Sequence, residues 1–194
     1  MSKGHIFSTF ELHQHKGLKV INNLSELLSE LNNSSKDEYA AIGARLEIPI
    51  EQLKPYSYWN SKFYARNCIE RTEHFELILL CWEPGQSTPV HCHGGEECWV
   101  YVMDGKLTET HFQYDNNELI TESAEMLGKG GKSFMCDDLG YHKLENTNGQ
   151  RSMSLHLYMD PIDTCTKFNE NSNNFEQVDL SYYSYKGELS KALV

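Results

Sequence analysis

No C-x-x-C pair occurs among the six cysteines (Cys68, Cys81, Cys92, Cys98, Cys136 and Cys165), so neither a cysteine-based zinc site nor a redox dithiol is indicated. Basic residues are scarce, with 17 Lys+Arg against 28 Asp+Glu and a formal net charge of −11. A chain of that balance, with no basic tract, is repelled by phosphate backbones, which excludes nucleic acid as a partner. Long apolar runs are missing too; the longest span a handful of residues, far short of a membrane crossing. Met1-Ser2-Lys3-Gly4-His5 lacks the apolar core of a secretory leader, so a cytoplasmic address with free thiols is expected. Proline is sparse, at 5 residues, and no linker or internal repeat interrupts the 194 residues. One domain with a real core is the expectation.

Two kinds of pattern then divide the chain. Leu18, Ile21, Leu24, Leu27, Leu28 and Leu31 recur at three- and four-residue steps, which predicts an amphipathic helix. Ser35 and Glu38 have capping-box spacing and predict a second helix to about Leu46, closed by Ile48-Pro49. Residues 1–50 are therefore read as a two-helix cap over a core built by residues 56–194. From Tyr56 onward the pattern is of short strands: 75–82, 98–103, 106–114, 126–127, 133–136, 142–146 and 151–159, with a turn at Asp104-Gly105 and a hairpin tip over 169–174. The fold class expected is mainly β, a barrel or sandwich.

The chemistry concentrates around Gly85 to His93. On a strand, His91 and His93 project to the same side, and neutral imidazole is a common ligand for iron, zinc, copper and nickel. Gly140-Tyr141-His142 followed by Asn146 supplies a third histidine from another strand. These spacings resemble the two signature motifs of the cupin superfamily, whose fold is a jelly-roll β-barrel. The second motif is incomplete, lacking its proline, but retains H-x3-N. In the first, Cys98 stands where a cupin usually carries a metal-binding glutamate; the alternative register uses Glu97, and strand alternation lets only one of the two face a metal. The reading adopted puts Cys98 toward the pocket and leaves three neutral histidines as the protein's ligands. Without a protein carboxylate the ion stays electrophilic and can accept a substrate thiolate. Ser154, His156 and Tyr158 alternate with Leu155, Leu157 and Met159, giving either a polar pocket wall or an exposed strand face.

Three blocks together resemble the cysteine dioxygenase family of non-haem iron cupins, over about Tyr64 to Cys165. They are Tyr64-Ala65-Arg66-Asn67, then Leu80-Cys81-Trp82 through His91-x-His93 to Cys98, and S-x-H-x-Y at 154–158 ahead of Pro161, Asp163, Thr164 and Cys165. The resemblance implies Fe(II) held by His91, His93 and His142, with L-cysteine and O2 as substrates and cysteine sulfinic acid as product. It implies that Arg66, assisted by Tyr64, pairs with the substrate carboxylate, a task suited to the forked guanidinium donors. It implies that Tyr158 meets substrate or oxygen while His156 and Ser154 order it, and that Cys98 and Tyr158 join in a thioether crosslink. A monomer is expected. His5, His13, His15, His74 and His111 lack a partner at ligand spacing and are read as surface or loop residues. Competing readings are a dioxygenase for 3-mercaptopropionate, a non-catalytic metal- or ligand-binding cupin, and a zinc-dependent cupin isomerase or hydrolase. Arg66 favours cysteine over 3-mercaptopropionate, since enzymes for the latter commonly carry glutamine there.

Overall fold

The computed structural model of the chain describes residues 19–190. These fall in two compact units, divided between Leu53 and Lys54. In the first, helix α1 (Leu24–Asn33) buries Leu24, Leu27 and Leu31, the stripe expected from the periodicity. It starts later than that stripe predicts. Asn23 is extended and its side chain accepts from the Ser25 and Glu26 backbone N–H groups, so the cap overrides the apolar spacing. Ile21 instead forms a parallel bridge with Leu46, and Leu18 lies outside the described residues. The Ser35–Glu38 capping box is present as expected, and it opens a single 3-10 turn followed by the short helix α2 (Tyr39–Ala44).

The second unit is a pair of sheets. In chain order its strands are β1 (Ala65–Arg71), β2 (Glu76–Trp82), β3 (His91–Cys92), β4 (Cys98–Asp104), β5 (Lys106–Asp115), β6 (Glu118–Gly128) and β7 (Lys132–Met135). There follow β8 (Tyr141–Glu145), β9 (Ser152–Tyr158), β10 (Thr164–Asn169), β11 (Asn174–Asp179), β12 (Ser184–Tyr185) and β13 (Glu188–Leu189). A seven-stranded sheet has the order β13-β12-β1-β2-β9-β4-β7, and a six-stranded sheet the order β11-β10-β3-β8-β5-β6. Every pairing is antiparallel except β1 with β12. The core between the sheets is built from Ile78, Leu80, Trp82, Val100, Val102, Leu107, Leu127 and Leu144, which come from both layers.

β2 and β9 are buried along their whole length, because they are the inner strands of the larger sheet. This settles the ambiguity at 154–158: the serine, histidine and tyrosine are interior, not an exposed face. β6 is far longer than the two residues expected. Ten of its residues pair with β5 across a two-residue turn, Asn116-Asn117, both with positive φ, the backbone a tight hairpin needs. Residues 120–126 are all exposed and mix Thr, Glu and Ser with Ile120, Ala124 and Met126, so no regular apolar pattern announced the strand, which borders its sheet. The hairpin tip expected at 169–174 joins β10 to β11, with Asn169 opposite Asn174.

Candidate metal centre and substrate pocket

The residues that converge in the second unit do so through sheet register. His91 on β3 lies directly across from His142 on β8. β3 ends at Cys92, so His93 stands just beyond the strand; the alternation argument overextends the strand, yet both rings still reach one place. The His91 and His93 ring centres are 5.2 Å apart, and those of His91 and His142 are 4.6 Å apart. Gly140, at φ +88°, turns the chain into β8 immediately before His142, and a Cβ there would lie 2.6 Å from the Phe112 carbonyl oxygen. Asn146, the last residue of H-x3-N, is fully buried and donates to the Trp82 and Gln150 carbonyls, tying down the far end of β8.

One nitrogen from each of His91, His93 and His142 lies within 4.8 Å of the other two, and all three side chains are buried. His142 Nε2 is 3.3 Å from His93 Nε2. Two nitrogens on one ion at about 2.1 Å each would be separated by roughly 3.0–3.4 Å. Hydrogen bonds choose the tautomers. His91 Nδ1 is 3.1 Å from the Pro89 carbonyl oxygen, and His142 Nδ1 is 2.7 Å from Glu109 Oε1, so each ring donates there and turns its Nε2 lone pair to the site. Burial, reinforced by His142, pushes His91 down to about 3 and His93 well below the usual imidazole range. Neutral rings with inward lone pairs are a fit donor set for a divalent transition metal.

The opposite wall comes from the larger sheet. His156 and Tyr158 on β9 line this space, Ser154 lies on the same face of that strand, and Cys98 on β4 sits directly across from Tyr158. Cys98 is fully buried, and its Sγ is 3.9 Å from Nδ1 of His156, a residue of the pocket wall. Trp82 Nε1 donates to Ser154 Oγ at 3.0 Å, and Ser154 Oγ is 2.8 Å from His156 Nε2. The His156 ring lies nearly parallel to that of Tyr158, with centres 6.5 Å apart. Burial, reinforced by Cys98, pushes the Tyr158 phenol well above its usual range, so it remains a hydrogen-bond donor. Arg66 on β1 and Tyr64 just before it complete the lining, with Tyr64 stacked on Trp82 at 4.8 Å. Arg66 Nε and Nη2 are buried and have no hydrogen-bond partner among the described residues, while Tyr158 interacts with the same guanidinium.

Glu109 is not singled out by the sequence, and His111 is read there as a surface or loop residue. They alternate on β5, and the β5–β8 register puts His111 directly across from His142. His111 is thus no free surface residue: its Nε2 is 3.7 Å from Glu109 Oε2. Only cross-strand register reveals this, and a single chain's local pattern does not carry it. His74 is exposed as expected, while His5, His13 and His15 lie outside the described residues.

Two packed sheets with three inward histidines at one end define a metal-binding cupin. The sequence profile for "Cysteine dioxygenase type I" matches residues 8–171. Cysteine dioxygenase type 1 of Bos taurus is 30% identical over 156 residues, spanning 78% of each chain. That of Rattus norvegicus is 27% identical over 177 residues, 87% of this chain and 88% of the relative. The solved structure of TT1209 from Thermus thermophilus aligns with a TM-score of 0.48 and 21% identity, covering 58% of this chain and 98% of that one. The chain belongs to the cysteine dioxygenase type I family, and it is a metal-dependent thiol dioxygenase.

Proposed function

We propose that the protein converts L-cysteine and O2 to cysteine sulfinic acid, with Fe(II) held by His91, His93 and His142. The observation that carries the substrate assignment is the buried Arg66 guanidinium, whose Nε and Nη2 have no hydrogen-bond partner among the described residues and which lines the same pocket as the three imidazoles. A buried charged donor left unpaired is costly, and a substrate carboxylate would relieve that cost with a paired, charge-assisted contact. Tyr64, stacked on Trp82, lines the same pocket as the guanidinium. Tyr158 keeps its phenolic proton and offers it into the pocket, while the Trp82–Ser154–His156 chain fixes the neighbouring ring. When bound, the iron supplies the redox chemistry by which both atoms of O2 pass to the substrate sulfur. The protein's own contribution is orientation and exclusion of water.

The pairing of Cys98 with Tyr158 across β4 and β9 supports a thioether between them. Peptide mapping with intact-mass analysis checks this: a linked peptide lighter by two hydrogens is expected, and two always-separate peptides would remove the proposal. Among the described residues no helix is long and apolar enough to cross a membrane. A cytoplasmic monomer acting on free cysteine, without nucleic acid or membrane partners, completes the reading. The deciding experiment is oxygen consumption by the iron-loaded protein on adding L-cysteine. Uptake with stoichiometric sulfinate is expected; no uptake would favour a binding cupin or a zinc enzyme, and faster uptake with 3-mercaptopropionate would overturn the substrate assignment.

A further inference from the structure

Glu109 is almost wholly buried, at 3% exposure, on the strand next to β8. Its register partner on β8 is Leu144, so His142 lies on the diagonal, on the same face of the sheet. One carboxylate oxygen accepts from His142 Nδ1 at 2.7 Å, and the other faces His111 Nε2 at 3.7 Å. A carboxylate held between two imidazoles cannot swing away from either without leaving the other. The His142 ring is therefore clamped with its Nε2 inward, 3.3 Å from His93 Nε2. Without the clamp, the ring could turn over or move its proton to Nε2, and either change removes the inward lone pair.

We propose that Glu109 is a positioning residue of the metal site, fixing the tautomer and orientation of His142 so that its Nε2 is available to the ion. This rests on the reading of His91, His93 and His142 as the ligands. His91 has a backbone carbonyl in the corresponding place, and the buried His93 Nδ1 has no hydrogen-bond partner among the described residues. Among the three, only His142 is oriented by a charged side chain.

The test is the Fe(II) dissociation constant, measured by competition with a chromophoric chelator, for the parent, Glu109→Gln, Glu109→Ala and His142→Ala, alongside the unfolding temperature of each metal-free protein. Loss of an outer carboxylate of this kind weakens metal binding by roughly 10–100-fold. Glu109→Ala should show that loss. Glu109→Gln, whose amide oxygen can still accept from Nδ1–H, should recover part of it. A purely structural role would instead lower the metal-free unfolding temperature and leave the affinity of the folded fraction at the parent value, and that result overturns the proposal. Parent affinity in both Glu109 variants, with iron lost from His142→Ala, sinks the positioning role but leaves the ligand set standing. Parent affinity in His142→Ala as well would sink the ligand set itself.

Discussion

Glu76 is a carboxylate in an unfavourable place. It lies directly across β2 and β9 from Tyr158 and is fully buried, and among the described residues neither oxygen has a well-formed hydrogen bond, although the Ile162 backbone and the Arg71 guanidinium, 3.5 Å away, lie beside it. Burial pushes its pKa up, and the nearby Arg66 and Arg71 do not offset this. A folded-state value above the ordinary 4.5 means that the folded protein binds this proton more tightly than the unfolded chain. The associated stability is complete below the ordinary value and is lost as pH rises through the folded one. Glu76→Gln should therefore raise the thermal midpoint at neutral pH, with the gain shrinking as pH is lowered toward the carboxylate range; a variant less stable at neutral pH contradicts this. Arg66 makes the contrasting prediction. Arg66→Ala should keep its iron while the half-saturating cysteine concentration rises roughly 10–100-fold, the worth of one charge-assisted hydrogen bond. Loss of iron from that variant would contradict the role given to Arg66.

At the scale of elements, the turn from β4 to β5 is the most constrained. Gly105 has φ +72°, and a Cβ there would come within 2.4 Å of Ser152 Oγ and 2.7 Å of the Arg151 carbonyl oxygen. Gly105→Ala combines backbone strain with a clash and should cost about 1–3 kcal/mol in urea unfolding. This turn was legible in the sequence as Asp104-Gly105 ending the apolar run 98–103, and so were β2 and β4 from their density of apolar and aromatic residues and β9 from the alternation of Leu155, Leu157 and Met159 with polar residues. β6 was not, because a hairpin arm exposed along most of its length needs hydrogen bonds from β5 more than apolar residues of its own. The polar set on β9 could be listed but not oriented, since its alternation with Leu155, Leu157 and Met159 fits an exposed face as well as a pocket wall, and only the structure shows both faces buried. Glu109 was illegible for a related reason: its partner is 33 positions away, and only the β5–β8 register brings them together.

At the scale of the molecule, the three candidate ligands come from β3, the loop after it, and β8, elements held together by a single cross-strand pair at His91 and His142. A metal bound there joins them a second time and must stabilise the fold that presents it. Iron at a hundred times its dissociation constant contributes about 2.7 kcal/mol, which for a chain of this size is roughly 5–10 °C in unfolding temperature. Calorimetry of metal-free and Fe(II)-loaded protein should show that upward shift, and His91→Ala should abolish it. A shift that survives His91→Ala would place the ion elsewhere.

The strand bordering the six-stranded sheet has a different consequence. β6 leaves backbone donors and acceptors open along its free side, beside exposed Ile120 and Met126, which is an invitation to other copies of the chain. Glu118, Glu122 and Glu125 stand along the same strand with no lysine or arginine among them. Two molecules meeting there would crowd six like charges, so self-association is discouraged where the geometry most invites it. That protection is a matter of ionic strength: it is strongest in dilute buffer and fades as salt screens the glutamates.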